Sequence, residues 1–323
     1  MSFGAGIGSM PGEDYAAALR VVIDETPALV AIPELPARGV QAGMTGRGMG
    51  ILVELGADLQ PAGWRLTGAG SGADQRRARS LLAQDLDTVE EQLQGFDGQL
   101  KIQVAGPWTL AATVERPRGD RILADHGGRR DLAQSLAEGI RQHLASVSGR
   151  VPGASLILQI DEPALTAVLA ARVPTASGWG RHRAIDKPEA DAALRLVVEA
   201  GRDSGARTVL HSCAPDVQVD LVAGAGFDAL SFDLSLTAPS DVWAAAFDGG
   251  LDLWPGVIPS TDAEGVSDRV LGKRIEDFFG ALGFGIEAFA DRSVVTPTCG
   301  LAGASPMWAK SALRLARSVG GQR

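Results

Sequence analysis

Short apolar runs recur along the chain, and stretches with helical periodicity separate them. Short runs of this kind, rich in β-branched residues, predict buried strands. We expect eight strands, at 4–10, 29–35, 101–108, 155–161, 208–213, 229–235, 251–258 and 294–299. Apolar residues at helical spacing predict helices that include 14–25, 78–93, 132–147, 190–204 and 268–282. The chain therefore alternates strand and helix.

This alternation predicts an α/β fold. Eight strand–helix units in 323 residues most simply form a (β/α)8 barrel, and a doubly wound open sheet is the main alternative. We expect one catalytic barrel domain over residues 1–323, with long connections after the second and third strands at 36–74 and 109–130. The glycine content of these connections favours mobile loops over the barrel mouth rather than a separate domain.

Composition excludes several classes of protein. A content of 45% hydrophobic residues suffices for a large core without disulfides, and the net charge of -9 disfavours a nucleic-acid partner. No apolar run approaches the roughly 18 residues that span a membrane. Two cysteines, with no secretory leader after Met1, indicate a reducing compartment. We expect a cytoplasmic protein with neither a nucleic-acid nor a membrane partner.

Polar side chains collect at the carboxyl ends of the predicted strands. In a barrel these ends converge on one mouth, where active sites are built. Two sulfurs and an imidazole make a plausible zinc site there, and an aspartate can add a carboxylate. The residues at strand ends are Ser9, Glu34, Trp108, Asp161, His211, Cys213, Asp233 and Cys299.

The same residues have structural alternatives. Free cysteine is commonly a small buried hydrophobe, and zinc held by four protein ligands is typical of structural sites. Asp161 and Glu162 could form ion pairs inside the barrel. Glu34, which prolines flank in sequence, could be a turn carboxylate, and Trp108 could serve in packing.

Several motifs together resemble the cobalamin-independent methionine synthase family. They occur in the family's order: Ile7-Gly8-Ser9, Glu34 in a Pro-Glu-x-Pro turn, Gly106-Pro107, Gln159-Ile160-Asp161-Glu162-Pro163-Ala164, His211-x-Cys213 and Thr298-Cys299-Gly300-Leu301. The resemblance covers nearly the whole chain but matches only the catalytic carboxyl-terminal barrel of the long enzymes. The chain thus resembles a short, single-barrel member of the archaeal type, with the (β/α)8 barrel that methionine synthases share with uroporphyrinogen decarboxylase.

The resemblance implies a zinc-dependent methyltransferase that forms methionine from homocysteine. It implies that Glu34 and Asp161 are the catalytic carboxylates and hold the ammonium group of homocysteine. Ile7, Gly8 and Ser9 would receive the carboxylate of the amino acid. The implied zinc ligands are His211, Cys213, Asp233 and Cys299, with Asp233 standing where the family usually has glutamate. Trp108 and the segment Gly63-Trp64-Arg65 match, more loosely, regions that approach the folate.

The methyl donor stays open at this point. The family's long enzymes have a histidine after the seventh strand, suited to protonating the folate nitrogen, whereas this chain reads Gly256-Val257-Ile258-Pro259-Ser260-Thr261-Asp262. A folate amine leaves poorly without a proton, so either Asp262 substitutes or the donor is a methylated corrinoid, which a corrinoid protein could carry. Two alternatives are a corrinoid-linked methyltransferase for another small thiol and a non-catalytic zinc-binding barrel.

Overall fold

The computed structural model describes residues 3–68, 70–290 and 292–321. Residue 69, within the connection 36–74, and both chain ends fall outside them. The strands are β1 (Phe3–Gly4), β2 (Leu29–Ala31), β3 (Ala57–Gln60), β4 (Gly63–Leu66), β5 (Gln99–Ala105), β6 (Ser155–Asp161), β7 (Arg207–Ser212), β8 (Ala229–Asp233), β9 (Asp252–Ile258) and β10 (Val294–Pro297).

The helices alternate with these strands as the periodicity predicts. They are α1 (Tyr15–Glu25), α2 (Met44–Ile51), α3 (Ala73–Gln92), α4 (Pro107–Thr113), α5 (His126–Arg150), α6 (Leu165–Leu169), α7 (Lys187–Asp203), α8 (Val219–Ala225), α9 (Asp241–Asp248), α10 (Asp268–Ala281), α11 (Ile286–Ala290) and α12 (Pro306–Gly321). No described helix is both long and apolar enough to cross a membrane.

Eight strands form one parallel sheet in the order β1-β10-β9-β8-β7-β6-β5-β2. The two outer strands approach each other beyond their ends, where Glu34 N donates to Gly8 O at 3.1 Å and Met10 N donates to Glu34 O at 2.8 Å. This contact brings the sheet close to a closed ring. The predicted (β/α)8 barrel is therefore confirmed, and the open doubly wound sheet is excluded.

The first strand is shorter than the apolar run 4–10 predicts. Gly8 has a φ of 149°, and a Cβ there would lie 2.8 Å from Cδ of Gln103. A side chain does not fit, and the backbone leaves the regular strand geometry. The irregular segment delivers Ser9 to the mouth beside Glu34, with which it forms an isolated parallel bridge.

The connection after β2 contains regular elements among its described residues. It contains α2 and an antiparallel hairpin of β3 and β4. The glycines of α2 permit close packing instead of flexibility: a Cβ on Gly46 would lie 2.2 Å from Val40 O, and one on Gly48 would lie 2.9 Å from Cδ2 of Leu110. The connection after β5 likewise begins with α4 and includes a 3-10 helix at Ile122–Ala124.

Two apolar layers enclose the barrel wall. The larger layer lies between the strands and the surrounding helices. A smaller cluster fills the barrel interior near the amino ends of the strands and consists of Ala5, Leu29, Ile157, Val209, Ala229, Trp254 and Val294. Polar side chains occupy the barrel beyond this cluster, toward the carboxyl ends. Apolar side chains thus fill the interior at the amino ends of the strands, and polar side chains line it at the carboxyl ends.

Glu162 links the end of β6 to the start of α4. Its fully buried carboxylate accepts from Trp108 N at 2.8 Å, Thr109 N at 2.8 Å and the Thr109 hydroxyl at 2.7 Å. These backbone groups belong to the first turn of the helix and have no partner within it. Burial raises the pKa of Glu162 to about 7, although the three donors act in the opposite direction. Its observed contacts are structural.

We predict that Glu162→Gln destabilises the fold by about 3 kcal/mol, because an amide NH2 group would face donors that a carboxylate accepts. Denaturant unfolding at about pH 8, where the carboxylate is ionised, measures the change. Glu138→Gln provides the control, since that side chain is 50% exposed on α5 and should shift the unfolding free energy by less than about 0.5 kcal/mol. Equal stability of the two variants would contradict the structural role.

Candidate metal and ligand site

Three side chains with metal-binding atoms meet at the carboxyl end of the barrel. The ligand atoms of His211, Cys213 and Cys299 all lie within 4.8 Å of one another. His211 is the penultimate residue of β7, Cys213 directly follows that strand, and Cys299 lies two residues beyond the end of β10. The barrel thus brings together residues that are 86 positions apart in sequence. Two sulfurs and one imidazole are a donor set that suits zinc.

The two cysteines form a thiol pair. Their sulfurs lie 2.9 Å apart, farther than the roughly 2.05 Å of a disulfide, and both are free. Cys213 shares its hydrogen bond with Cys299, which lowers the pKa of the Cys299 thiol to about 4, and the nearby His211 ring adds to this effect. The same hydrogen bond raises the pKa of Cys213. The shared hydrogen bond therefore favours the thiolate form of Cys299 over that of Cys213.

Ser231 on β8 fixes the orientation of His211. Its hydroxyl lies 3.0 Å from Nδ1 of the imidazole, while Nε2 is buried and has no hydrogen-bond partner among the described residues. An unpartnered buried polar atom is costly unless something else binds it. A metal ion bound between Nε2 and the two sulfurs would satisfy this atom, so the three residues fit zinc.

Asp233, the fourth expected ligand, lies at the end of β8 but is engaged elsewhere. Its Oδ1 accepts from Ser235 N at 2.8 Å and from the Ser235 hydroxyl at 2.6 Å. These bonds begin the 3-10 helix Leu234–Leu236. The structure does not include Asp233 in the group of three described residues that could hold a metal.

A cavity of about 200 Å³ joins the metal-binding trio to two buried carboxylates. This volume is below the roughly 300–1,000 Å³ of pockets for drug-sized ligands, so it suits a small ligand. Its wall consists of Ile7, Ser9, Glu34, Pro36, Ala42, Met44, Asp161, Pro163, His211, Cys213, Cys299 and Gly300. Most of the expected site residues therefore face one enclosed space.

The carboxylates of Glu34 and Asp161 are both buried, and burial raises the pKa of each. Glu34 forms an ion pair of 2.5 Å with Arg47, and Asp161 accepts from Gln159 Nε2 at 2.7 Å. Neither carboxylate is free of partners, yet both line the cavity. They can accept hydrogen bonds from a cationic group placed between them.

Lys101 lies below this pair, inside the barrel and without solvent exposure. Its ammonium donates to Ile7 O at 2.7 Å and to Gln159 Oε1 at 2.5 Å. Burial lowers the pKa of Lys101 to about 7, and the carboxylates of Asp161 and Glu34 oppose this decrease. The lysine ties the segment that precedes Gly8 to the strand that carries Asp161.

Ser9 contacts the cysteine segment as well as Glu34. Leu301 N donates to Ser9 O at 2.8 Å, and a Cβ on Gly300 would lie 1.9 Å from Oγ of Ser9. Only glycine at position 300 leaves room for the serine hydroxyl. The segments that carry the expected carboxylate-binding and metal-binding residues are therefore packed directly against each other.

Trp108 does not line the cavity, although it was expected to bind substrate. Its side chain is 1% exposed within the main core, and its indole donates to Ala190 O at 3.1 Å. Trp64 is also buried, in β4, where the neighbouring Arg65 pairs with Glu115. Both tryptophans occupy packing positions.

Asp262 is tied to the start of α12. Its two oxygens accept from Ser305 N at 2.7 Å and from the Ser305 hydroxyl at 2.5 Å. These bonds lower the pKa of Asp262. A carboxylate held in this way is a poor proton donor near neutral pH.

Sequence reasoning missed Lys101, Arg47 and Ser231. Lys101 is the only charged residue of β5, and a charged residue within a strand pattern signals either an exposed position or a buried charge. Ser231 lies two residues before Asp233 on the same strand and therefore shares its face. Arg47 stands in a glycine-rich stretch that carries no signal for burial.

The sequence matches the family model of the cobalamin-independent synthase catalytic domain over residues 98–322. The matched range begins next to β5, so Ile7, Gly8, Ser9 and Glu34 precede it. A comparison of the sequence with curated proteins found no match.

Solved structures share the fold at low sequence identity. A B12-independent methionine synthase from Shewanella sp. W3-18-1, in complex with selenomethionine, is 14% identical with a TM-score of 0.61, and the match covers 100% of this chain and 97% of that chain. A methyltransferase from Methanosarcina mazei is 15% identical with a TM-score of 0.56, over 94% of this chain and 84% of that chain. These similarities concern the fold.

The family model spans more than half of the sequence and includes β5 to β10 with all three residues of the metal-binding trio. The family indicates a methyltransferase-type enzyme. The chain belongs to the family of the cobalamin-independent synthase catalytic domain.

Proposed function

We propose that this protein is a cytoplasmic zinc-dependent methyltransferase that transfers a methyl group to the thiol of homocysteine to form methionine. The observation that carries the proposal is the shared cavity, which has a soft metal-binding trio on one wall and two buried carboxylates on another. A small α-amino acid with a thiol side chain matches both walls. The Shewanella synthase, whose fold is similar, was solved with selenomethionine.

The residues have distinct roles in this proposal. Zinc, when bound to His211, Cys213 and Cys299, would favour the thiolate form of the substrate, which is the nucleophile. Glu34 and Asp161 accept hydrogen bonds from the ammonium group. Ile7, Gly8 and Ser9 receive the carboxylate. Asp233 would be a weaker fourth zinc ligand than the other three residues, because Ser235 competes for its Oδ1.

Methyltetrahydrofolate and a methylated corrinoid are both candidate donors. The contacts of Asp262 with Ser305 favour the corrinoid, since they engage the carboxylate that could have protonated a folate amine. A methylcorrinoid needs no such proton. The second candidate function is therefore methyl transfer from a corrinoid, bound free or on a corrinoid protein.

We expect the purified protein to bind about one equivalent of zinc through two sulfurs. Cys213→Ser and Cys299→Ser should abolish stoichiometric binding, because hydroxyls are poor zinc ligands. Ser231→Ala should weaken zinc affinity about 10- to 100-fold, since His211 loses the group that orients it. Asp233→Asn should have a smaller effect than either cysteine variant. Competition with a zinc chelator measures the affinities, and undiminished binding by both cysteine variants would contradict the assignment.

Homocysteine should add a third sulfur to the zinc at about 2.3 Å, measured by X-ray absorption. Glu34→Gln and Asp161→Asn should each weaken homocysteine binding about 10- to 100-fold, because each removes a charge-assisted hydrogen bond to the ammonium group. The matched control ligand is 4-mercaptobutanoate, which lacks the amino group and should bind the variants as it binds the wild type. A two-sulfur spectrum unchanged by homocysteine would refute the proposed substrate.

Turnover with the two donors separates the candidate functions. If a corrinoid is the donor, methylcobalamin should support methionine formation, whereas methyltetrahydrofolate should not. Asp262→Asn should then leave the rate with methylcobalamin unchanged within about twofold, because the corrinoid's methyl group needs no proton from that carboxylate. Folate turnover that disappears in Asp262→Asn would instead assign the carboxylate a role in protonating the folate.

A further inference from the structure

Arg47 contacts Glu34, a residue of the cavity wall, from outside the barrel, and does not itself line the cavity. It lies on α2, whose tight glycine contacts hold the helix close to Val40 O and to the side chain of Leu110. Its side chain is 12% exposed. One guanidinium nitrogen, Nη2, contacts Glu34 Oε1 at 2.5 Å and Gln103 O at 3.0 Å. The guanidinium is thus fixed between a barrel-wall carbonyl and the cavity carboxylate.

The charges around Glu34 come from several elements. Arg47 on α2 and Lys101 on β5 are cations, Asp161 on β6 is a second carboxylate, and Tyr15 on α1 is a buried phenol whose pKa burial raises strongly. Burial and Asp161 both favour protonation of Glu34. Arg47 is the largest influence in the opposite direction, and the resulting pKa of Glu34 is about 7.

A protonated carboxyl group could not serve as an anionic acceptor for an ammonium group. It would present one hydroxyl donor and would lose the charge assistance that makes such bonds strong. A neutral amide in place of the carboxylate would also lack the negative charge that strengthens a hydrogen bond to an ammonium group. The state of Glu34 therefore decides whether the cavity distinguishes an amino acid from its des-amino analogue.

We propose that Arg47 is a positioning residue that holds Glu34 as a carboxylate directed at the cavity and thereby makes the site select ligands with an α-ammonium group. This inference rests on the proposed function, because it assumes that Glu34 receives the ammonium group of the substrate. Arg47 does not touch the substrate in this role. It acts through Glu34.

The test compares methionine, the product of the proposed reaction, with 4-(methylthio)butanoate, which lacks only the amino group. Neither ligand carries a thiol, so zinc-thiolate chemistry does not enter the comparison. Calorimetry on the zinc-loaded protein gives both dissociation constants from about pH 6 to 8.5. The wild type should prefer methionine, and this preference should decrease as the pH falls through about 7, where Glu34 gains a proton.

Arg47→Met should reduce the preference for methionine about tenfold or more at neutral pH. Without the guanidinium the pKa of Glu34 rises, so the decrease should begin at a higher pH than in the wild type. Arg47→Lys should restore most of the preference, because it keeps the positive charge. Affinity for 4-(methylthio)butanoate should change little in either variant. A purely structural role would lower the affinities of both ligands together and would leave the pH profile in place.

Arg38→Met is the matched control. Arg38 forms a bidentate pair with Asp85 at 2.8 and 2.6 Å, and its side chain is 16% exposed, close to the value for Arg47. Asp85 does not line the ligand cavity. This variant should lose stability, measured by denaturant unfolding, yet keep the preference for methionine and its pH profile.

The outcomes separate the two proposals. If the wild type binds methionine no better than 4-(methylthio)butanoate and Glu34→Gln changes nothing, the proposed substrate fails. If the wild type and Glu34→Gln behave as expected while Arg47→Met keeps or increases the preference for methionine, only the role of Arg47 is overturned. Arg47 would then be a mere counterion that competes with the ammonium group.

Discussion

Compensation of buried charge is the constraint on which the carboxyl end of this barrel depends. Transfer of a single ion from water to a protein interior costs several kcal/mol, and loss of one partner from a buried pair typically costs about 3–5 kcal/mol. Glu34 meets Arg47, and Lys101 lies near both Glu34 and Asp161 while bonding to Ile7 O and Gln159. Two acidic and two basic side chains therefore share one buried region, and the charge of each depends on the others.

This compensation requires elements on both sides of the barrel wall. Lys101 comes from the wall itself, but Arg47 comes from a helix in the connection after β2. Gly46 and Gly48 allow that helix to pack closely against the Val40 carbonyl and the Leu110 side chain. Bulkier residues would move α2 outward and take Arg47 away from Glu34. A glycine pattern that suggests mobility in sequence serves here as a packing surface.

The sequence predicts the parts of the molecule that follow a local pattern. Strand periodicity places all eight barrel strands, and the rule that strand ends converge brings His211, Cys213 and Cys299 together. The sequence pattern does not predict which hydrogen-bond partners the individual side chains have. Asp233 lies at the predicted strand end, yet its Oδ1 accepts a hydrogen bond from the backbone N of Ser235, two residues later. Trp108 follows a strand as expected, but its ring turns into the core toward α7. Arg47 resembles any solvated arginine until the tertiary structure buries it.

The two walls of the cavity impose different chemical demands. The trio offers soft donors, and the hydrogen bond between Cys213 and Cys299 favours the thiolate form of Cys299, which suits a metal that binds sulfur. The adjoining part of the wall has carboxylates whose charges Arg47 and Lys101 offset. A ligand that enters as a cation alone would meet no excess of negative charge on that wall, whereas a zwitterion adds no net charge to it. Charge balance and the soft donors are thus the two features that support the proposed thiol amino acid as substrate.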